Sequence, residues 1–316
     1  MAQKDTNPYR YSDSNKRYMT YDWYLKHRFG GKAAKVSLDI GTTCPNLDGT
    51  KGCGGCIYCK NGSSGVAREI QYAPIAEQYA AGMKIADRKW KPVGYIPYLQ
   101  SNTNTYGDPV RLGRIYAECA ALPGAIMLNI ATRADCLNDE ILISLRETAE
   151  KLPVMVELGL QTSNDRTAEI INRCHTFAEF KEGYYRLRKT GVMIGVHIIN
   201  GLPGEKREEM LQTVRDVAEL SPDMVKIHLL HVLKGTVLHE MYSRGEYLPL
   251  TREEYVSIVC DQLELLPEET IIGRVTGDGL SDDLVAPDWS RRKTEVTNEI
   301  DKEMYRRRSY QGKRKF

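Results

Sequence analysis

The 316-residue chain has no run of eighteen apolar residues, and its opening stretch, MAQKDTNPYRYSDSNKRY, carries no apolar segment behind its charges. A membrane-spanning helix takes about twenty such residues, so neither a span nor a secretory signal is readable, and a cytoplasmic location is expected. Internal repeats are missing too, as is any linker that would divide the chain into separate domains. A large net charge is also lacking: the total is +2. That near-balance hides an asymmetry. Residues 1–35 hold eight Lys/Arg against three Asp, and residues 291–316 hold ten against four acids, leaving an acidic body between two basic ends. Basic ends are either solvated faces or contacts for a polyanion, and composition does not choose between them.

With 41% hydrophobic and 27% charged residues, the chain has what a globular enzyme needs to bury a large core. Short apolar runs alternate with helical spacing. The runs are Lys35 to Ile40, Val93 to Gln100, Ala125 to Ala131, Val154 to Gln161, Val192 to Asn200 and Met224 to His231, with a seventh possible at Thr270 to Thr276. Between them, Ile75, Tyr79, Met83, Ala86 and Trp90 step by three and four behind Pro74, as an amphipathic helix does. The interval of roughly 30 residues suits repeated βα units around a parallel sheet. Six units cannot close an eight-stranded barrel, so an α/β fold with an open barrel or a doubly wound sheet is expected. In either form, ligands gather at the carboxyl ends of the strands.

Eight cysteines in a chain of this kind argue against a disulfide framework. Cys119, Cys136, Cys174 and Cys260 are scattered and read as small core residues. The other four crowd into the loop after the first strand, GTTCPNLDGTKGCGGCIYC, as Cys44, Cys53, Cys56 and Cys59. Glycines let such a loop wrap closely around something, and thiolates at this spacing point to iron–sulfur or zinc. On spacing alone, Cys53, Cys56 and Cys59 form a plausible triplet, and all four thiols could make a zinc site.

The Cys-x11-Cys-x2-Cys arrangement, with an aromatic before the last cysteine, resembles the radical S-adenosylmethionine (SAM) superfamily, in particular its Elongator-catalytic-subunit-like branch. CPNLDGT followed by GGCIYC looks like the short bacterial radical SAM proteins of the YhcC/YtqA type. Three further stretches fit: YLKHRFG before the first strand, LQSNTNTY after the second, and TGDGLSDDLVAPDWS near the end. The resemblance implies an incomplete (β/α)6 TIM-like barrel over residues 35–276, a basic and aromatic N-terminal extension over 1–34, and a basic C-terminal extension over 277–316 packed on or trailing from the barrel. It implies a 4Fe-4S cluster on Cys44, Cys56 and Cys59, with Cys53 spare. In the family, SAM chelates the open iron, and one electron then yields a 5'-deoxyadenosyl radical that abstracts a substrate hydrogen. An electron donor such as flavodoxin or ferredoxin is an implied partner.

The same resemblance distributes cofactor contacts over the strand ends. It brings in Tyr58, then Gln100 and Asn102 where relatives carry a Gly-Gly-Glu segment, then Thr132 and Arg133 in a segment similar to TRPD. Strand four offers Glu157 and Gln161, with Arg173 twelve residues further on. That spacing is shared with anaerobic coproporphyrinogen oxidases, in which the glutamine meets the ribose and the arginine the methionine carboxylate. Strand five offers His197 and Asn200 before a GLPGE turn. Strand six carries Lys226, His228 and His231, some of which should face the interior. No general acid or base is identifiable.

For the substrate, Tyr9, Tyr11, Tyr18, Tyr21, Trp23 and Tyr24 are interleaved with Arg10, Lys16, Arg17, Lys26 and Arg28, and the far end carries Arg291 to Lys293, Arg306 to Arg308 and Lys313 to Lys315. Cations with aromatic faces hold single-stranded RNA loops, although aromatic clusters more often pack in a core. Relatives in the Elongator branch act on the wobble uridine of tRNA. The acetyltransferase domain of that branch is not expected here, so the implied reaction edits an existing 5-substituent, such as carboxymethylaminomethyl to aminomethyl. Radical chemistry on a small metabolite or porphyrin, and a zinc-stabilised RNA-binding module without catalysis, are the alternatives.

Overall fold

The computed structural model describes residues 7–60, 66, 68–277 and 282–314. Its strands are β1 (Ala33–Leu38), β2 (Gly94–Leu99), β3 (Leu128–Thr132), β4 (Val154–Gln161), β5 (Met193–Asn200), β6 (Met224–Leu229), β7 (Val232–Leu233), β8 (Ile271–Arg274) and β9 (Leu284–Ala286). Seven of them form a curled parallel sheet in the order β1-β2-β3-β4-β5-β6-β8, a half-barrel whose first and last strands are not joined. The expected barrel is therefore present with a seventh strand, from the Thr270 to Thr276 run. The Met224 to His231 run is shorter than expected, because the chain leaves the sheet after Leu229, and β7 pairs antiparallel with β9 instead.

Alternation along the strands sorts side chains between two faces. Val36, Leu38, Ile130, Val156, Leu158, Val196 and Ile227 face the helices in the main core. On the concave side, Ile96, Met127, Met155, Met224 and Ile271 form a lower layer with Tyr9, Met19, Tyr21 and Leu25 of the N-terminal segment. That segment plugs the bottom of the half-barrel. Thr20 caps its helix (Tyr21–Phe29) by accepting from Trp23 N, and Gly30 ends it at φ +78°.

Part of the two basic ends takes the structural role that aromatic clusters more often have. Tyr9, Tyr18, Tyr21 and Arg17 are buried. Lys16 pairs with Asp301, Arg10 with Glu268 and Glu269, and Lys26 with Asp22. At the other end, the helix Lys293–Arg306 buries Val296, Ile300 and Met304 against the helix Arg252–Leu265. Arg307 and Arg314 reach back to Asp261 and Glu264. Lys315 of the last basic run and Asp278 to Ser281 of the TGDGLSDD segment lie outside the described residues.

Candidate active site

The carboxyl ends of β1 to β5 surround a cavity of about 310 Å³. Cys44, Cys56, Cys59, Tyr58, Gln100, Asn102, Thr132, Arg133, Glu157, Gln161, Arg173 and His197 all border it. A larger groove of about 620 Å³, lined by Gln212, Arg215, Asp223 and Glu269 among others, lies at the opposite end of the strands and holds neither thiol nor imidazole. In barrels of parallel strands the chemistry sits at the carboxyl end, so the smaller cavity is the candidate.

The cysteine loop is held by its backbone and by two asparagines. Leu47 N donates to Cys44 O (2.8 Å), Gly55 N to Asn46 O (2.8 Å) and Cys59 N to Cys56 O (2.9 Å). Gly54 and Gly55 both take left-handed backbone, at φ +79° and +77°, and a Cβ on Gly55 would lie 2.8 Å from Leu47. Asn172, itself at φ +52°, donates from its amide to Cys53 O (3.1 Å) and Gly55 O (2.8 Å), while Asn46 donates to Asn172 O. Cys53 is exposed and does not border the cavity. Burial pushes the Cys59 thiol up to about 11, and the sulfurs of Cys56 and Cys44 push in the same direction. Among the described residues, no three His, Cys, Asp or Glu gather as the ligands of a single ion would. Cys174, expected in the core, instead packs against Gly52 beside this loop at φ +56°.

The polar residues differ in what they have left to offer a ligand. Arg173 is buried, donates to Gly159 O, and its Nε has no partner. A buried guanidinium without a carboxylate is costly, which fits a site awaiting an anion. Gln161 sits at φ +77° on a bulge between β4 and β5, which turns it toward the cavity. Arg133, by contrast, is engaged: it holds Asp135 through two bonds of 2.9 Å and donates to Arg173 O (3.1 Å). Burial alone would raise the Asp135 carboxyl, but Arg133 and Lys51 hold it well below the usual carboxylate range. Thr132 bonds Thr105 (2.6 Å), Gln100 accepts from Ser37 (3.0 Å), and Asn102 donates to Thr42 O (2.7 Å) at φ +58°.

Asn200 is not brought to the cavity. It exchanges two bonds of 2.8 Å with Gln262, tying β5 to the helix Arg252–Leu265. Glu205 of the GLPGE turn is likewise off the cavity and accepts from Thr162; burial pushes it up to about 7.

Beneath the cavity lies a polar layer that the motifs did not single out as a unit. Lys35, Tyr98, Asn129, Glu157 and Lys226 come from five strands. Glu157 Oε2 accepts from Tyr98 OH (2.6 Å), His197 Nε2 (3.0 Å) and Lys226, and Oε1 from Asn129 (2.9 Å), with Lys35 at 3.6 Å. Burial would raise Glu157, but Lys226 and Lys35 hold it well below its ordinary value. Burial pulls Lys226 down to about 7 and His197 down to about 4. Asp39, also missed, borders the rim and accepts from Gly41 N (2.9 Å) and Gln71 (2.8 Å). Two-residue periodicity is the signal that could have found the layer: Tyr98 lies two before Gln100 and Asn129 two before Ala131.

The Radical SAM superfamily model matches residues 49–217, and a Radical_SAM C-terminal domain model matches residues 222–306. The chain belongs to the radical SAM superfamily. The first match starts beyond Cys44, so the place of that thiol rests on its position at the cavity. YtqA of Bacillus subtilis is 43% identical over 307 residues, covering 97% of this chain and 95% of that protein. A tRNA uridine(34) acetyltransferase of Methanocaldococcus jannaschii is 32% identical over 157 residues, which is 48% of this chain and 28% of that one. Among solved structures, Elp3 of the archaeon Methanocaldococcus infernus matches the fold with a TM-score of 0.67 at 18% identity, over 88% of this chain and 64% of that one. The superfamily uses a 4Fe-4S cluster and SAM. The donor set here, three soft thiols beside an unpaired buried guanidinium, fits both groups.

Proposed function

We propose that this radical SAM enzyme edits an existing substituent on carbon 5 of the wobble uridine of tRNA, for example trimming carboxymethylaminomethyl to aminomethyl. The observation that carries the reading is the 157-residue similarity to tRNA uridine(34) acetyltransferases. Only 28% of that protein is matched, while YtqA is matched over 95% of its length, so the similarity does not extend to a whole acetyl-transfer enzyme.

In this reading Cys44, Cys56 and Cys59 would hold the cluster, which when bound would supply the electron for reductive cleavage of SAM. Arg173 meets the carboxylate of the methionine moiety, since it is the buried cation at the rim with an unmade bond. Gln161 offers its amide to the ribose. Gln100, Asn102 and Thr132 shape the rim, and Arg133 acts through Asp135 and the Arg173 carbonyl to keep the 171–175 segment in place. Tyr58 packs with Ile57 and Ile171 beside the loop. A protein reductant such as flavodoxin or ferredoxin completes the system.

The test is the wobble-nucleoside profile of tRNA from a strain lacking the protein. The reading expects the unedited nucleoside to accumulate and the native gene to restore the edited one. An unchanged profile would overturn it.

A further inference from the structure

One strongly charged surface serves neither the cavity nor the core. The helix Ile75–Trp90 packs on β1 so closely that a Cβ on Gly82 would lie 2.4 Å from Val36, and it buries Tyr79 and Ala86. Its last turns carry the opposite chemistry. Lys84, Arg88, Lys89 and Trp90 are exposed, and Lys91 follows in left-handed backbone at φ +47°. Lys32, the exposed residue just before β1, joins them, because Val93 N donates to Lys32 O (2.8 Å). The ammonium groups of Lys32 and Lys89 lie 5.1 and 4.5 Å from the centre of the Trp90 ring, which is itself 41% exposed. Among the described residues no ion pair engages any of these five cations. Asp87, the acid within this stretch, accepts from Tyr95 OH instead. The chain ends differ, since there Lys16, Arg307 and Arg314 find Asp301, Asp261 and Glu264. A helix C-terminus carries only about half a negative charge, so five cations exceed what the helix itself asks for. The indole holds two of them in place, which lowers the entropy they lose on meeting an anion.

We propose that Lys32, Arg88, Lys89 and Lys91 around Trp90 bind the sugar–phosphate backbone of the tRNA away from its wobble position. The inference rests on the tRNA reading above and deepens it by naming where the rest of the substrate lies. The patch stands at the amino end of β1, an edge strand of the half-barrel, and the cavity at the carboxyl ends, so one six-residue strand, roughly 20 Å, separates them. RNA with its wobble base in the cavity and its backbone along that open edge meets both. Contacts of this kind set affinity and register without reading sequence, and the counterions they release give them a salt dependence.

The experiment measures filter binding of the full, cluster-loaded chain with SAM to a tRNA carrying 5-carboxymethylaminomethyluridine at the wobble position, over a series of salt concentrations. Lys32→Gln/Lys89→Gln/Lys91→Gln should bind at least about tenfold more weakly and lower the slope of log affinity against log salt by about three, one for each lost phosphate contact. All three side chains are exposed, so the melting temperature should hold. Arg244→Gln/Arg292→Gln/Arg306→Gln removes the same charge from cations paired with Glu246, Glu295 and Glu303, and should bind as the native protein does. Native affinity and slope in the patch variant, or an equal fall in the control variant, would overturn the assignment. Exposed Ile85 and Val93 beside the patch make an anionic membrane the competing partner. A patch variant that loses phosphatidylserine vesicles but keeps the tRNA would therefore overturn it too. Native protein that binds no tRNA would bring down the tRNA reading itself, and this surface with it.

Discussion

Arg173 and Asn200 both sit near strand ends and both read as cofactor contacts, yet their surroundings divide them. Arg173 keeps an unmade bond at the cavity; Asn200 has spent its amide on Gln262. Arg173→Ala should weaken SAM binding at least about tenfold, measured by equilibrium dialysis of cluster-loaded protein, with only a modest loss of thermal stability, since Gly159 O loses one donor but no carboxylate is left unpaired. Asn200→Ala should do the reverse, costing about 1–3 kcal/mol of stability by stranding Gln262 while SAM affinity holds. His197 gives a pH signature. Its folded value of about 4 lies below its ordinary 6.5, so the unfolded chain takes up a proton first and stability falls as pH drops from 6.5 to 4. The loss is at most roughly 1.4 kcal/mol per unit of pH. Glu205, raised to about 7, acts in the opposite sense, so the contribution is isolated by comparing melting temperatures of native protein and His197→Gln across that window. The variant should lose less on acidification; an identical slope would show that His197 is not held neutral.

At the scale of elements, strands were legible because alternation and β-branched runs are local properties, and the seven-stranded sheet follows them closely. The clamp on the cysteine loop was not legible. Asn172 works through a left-handed backbone and contacts with carbonyls more than a hundred positions earlier, and nothing in NRCH distinguishes it from an ordinary helix exit. Asn172→Ala should give a protein that folds but retains less iron after reconstitution and gel filtration, because two carbonyls of the loop lose their donor. The helix Phe177–Arg188 approaches Ala134 so closely that a Cβ on Gly183 would lie 2.0 Å from the Ala134 carbonyl oxygen. Gly183→Ala should therefore cost about 1–3 kcal/mol, read as a lowered melting temperature, by pushing the segment that carries Arg133 and Asp135. The pairing of the basic ends was not legible for a related reason: composition shows how many cations there are, but not that Asp301, Asp261 and Glu264 pair with Lys16, Arg307 and Arg314.

For the molecule as a whole, the N-terminal segment plugs one end of the half-barrel and the cysteine loop borders the cavity at the other. The polar layer lies between that apolar bottom and the cavity. No helix among the described residues is long and apolar enough to cross a membrane. We propose that Cys44, Cys56 and Cys59, without Cys53, hold the cluster that serves SAM cleavage. It is tested most directly by anaerobic reconstitution with iron and sulfide, reduction in the presence of SAM, and assay of 5'-deoxyadenosine for native protein, Cys44→Ala and Cys53→Ala. The account predicts brown protein with about four irons and 5'-deoxyadenosine from native and Cys53→Ala, and neither from Cys44→Ala. Activity surviving in Cys44→Ala but lost in Cys53→Ala, or zinc bound in place of iron with no SAM cleavage, would contradict it.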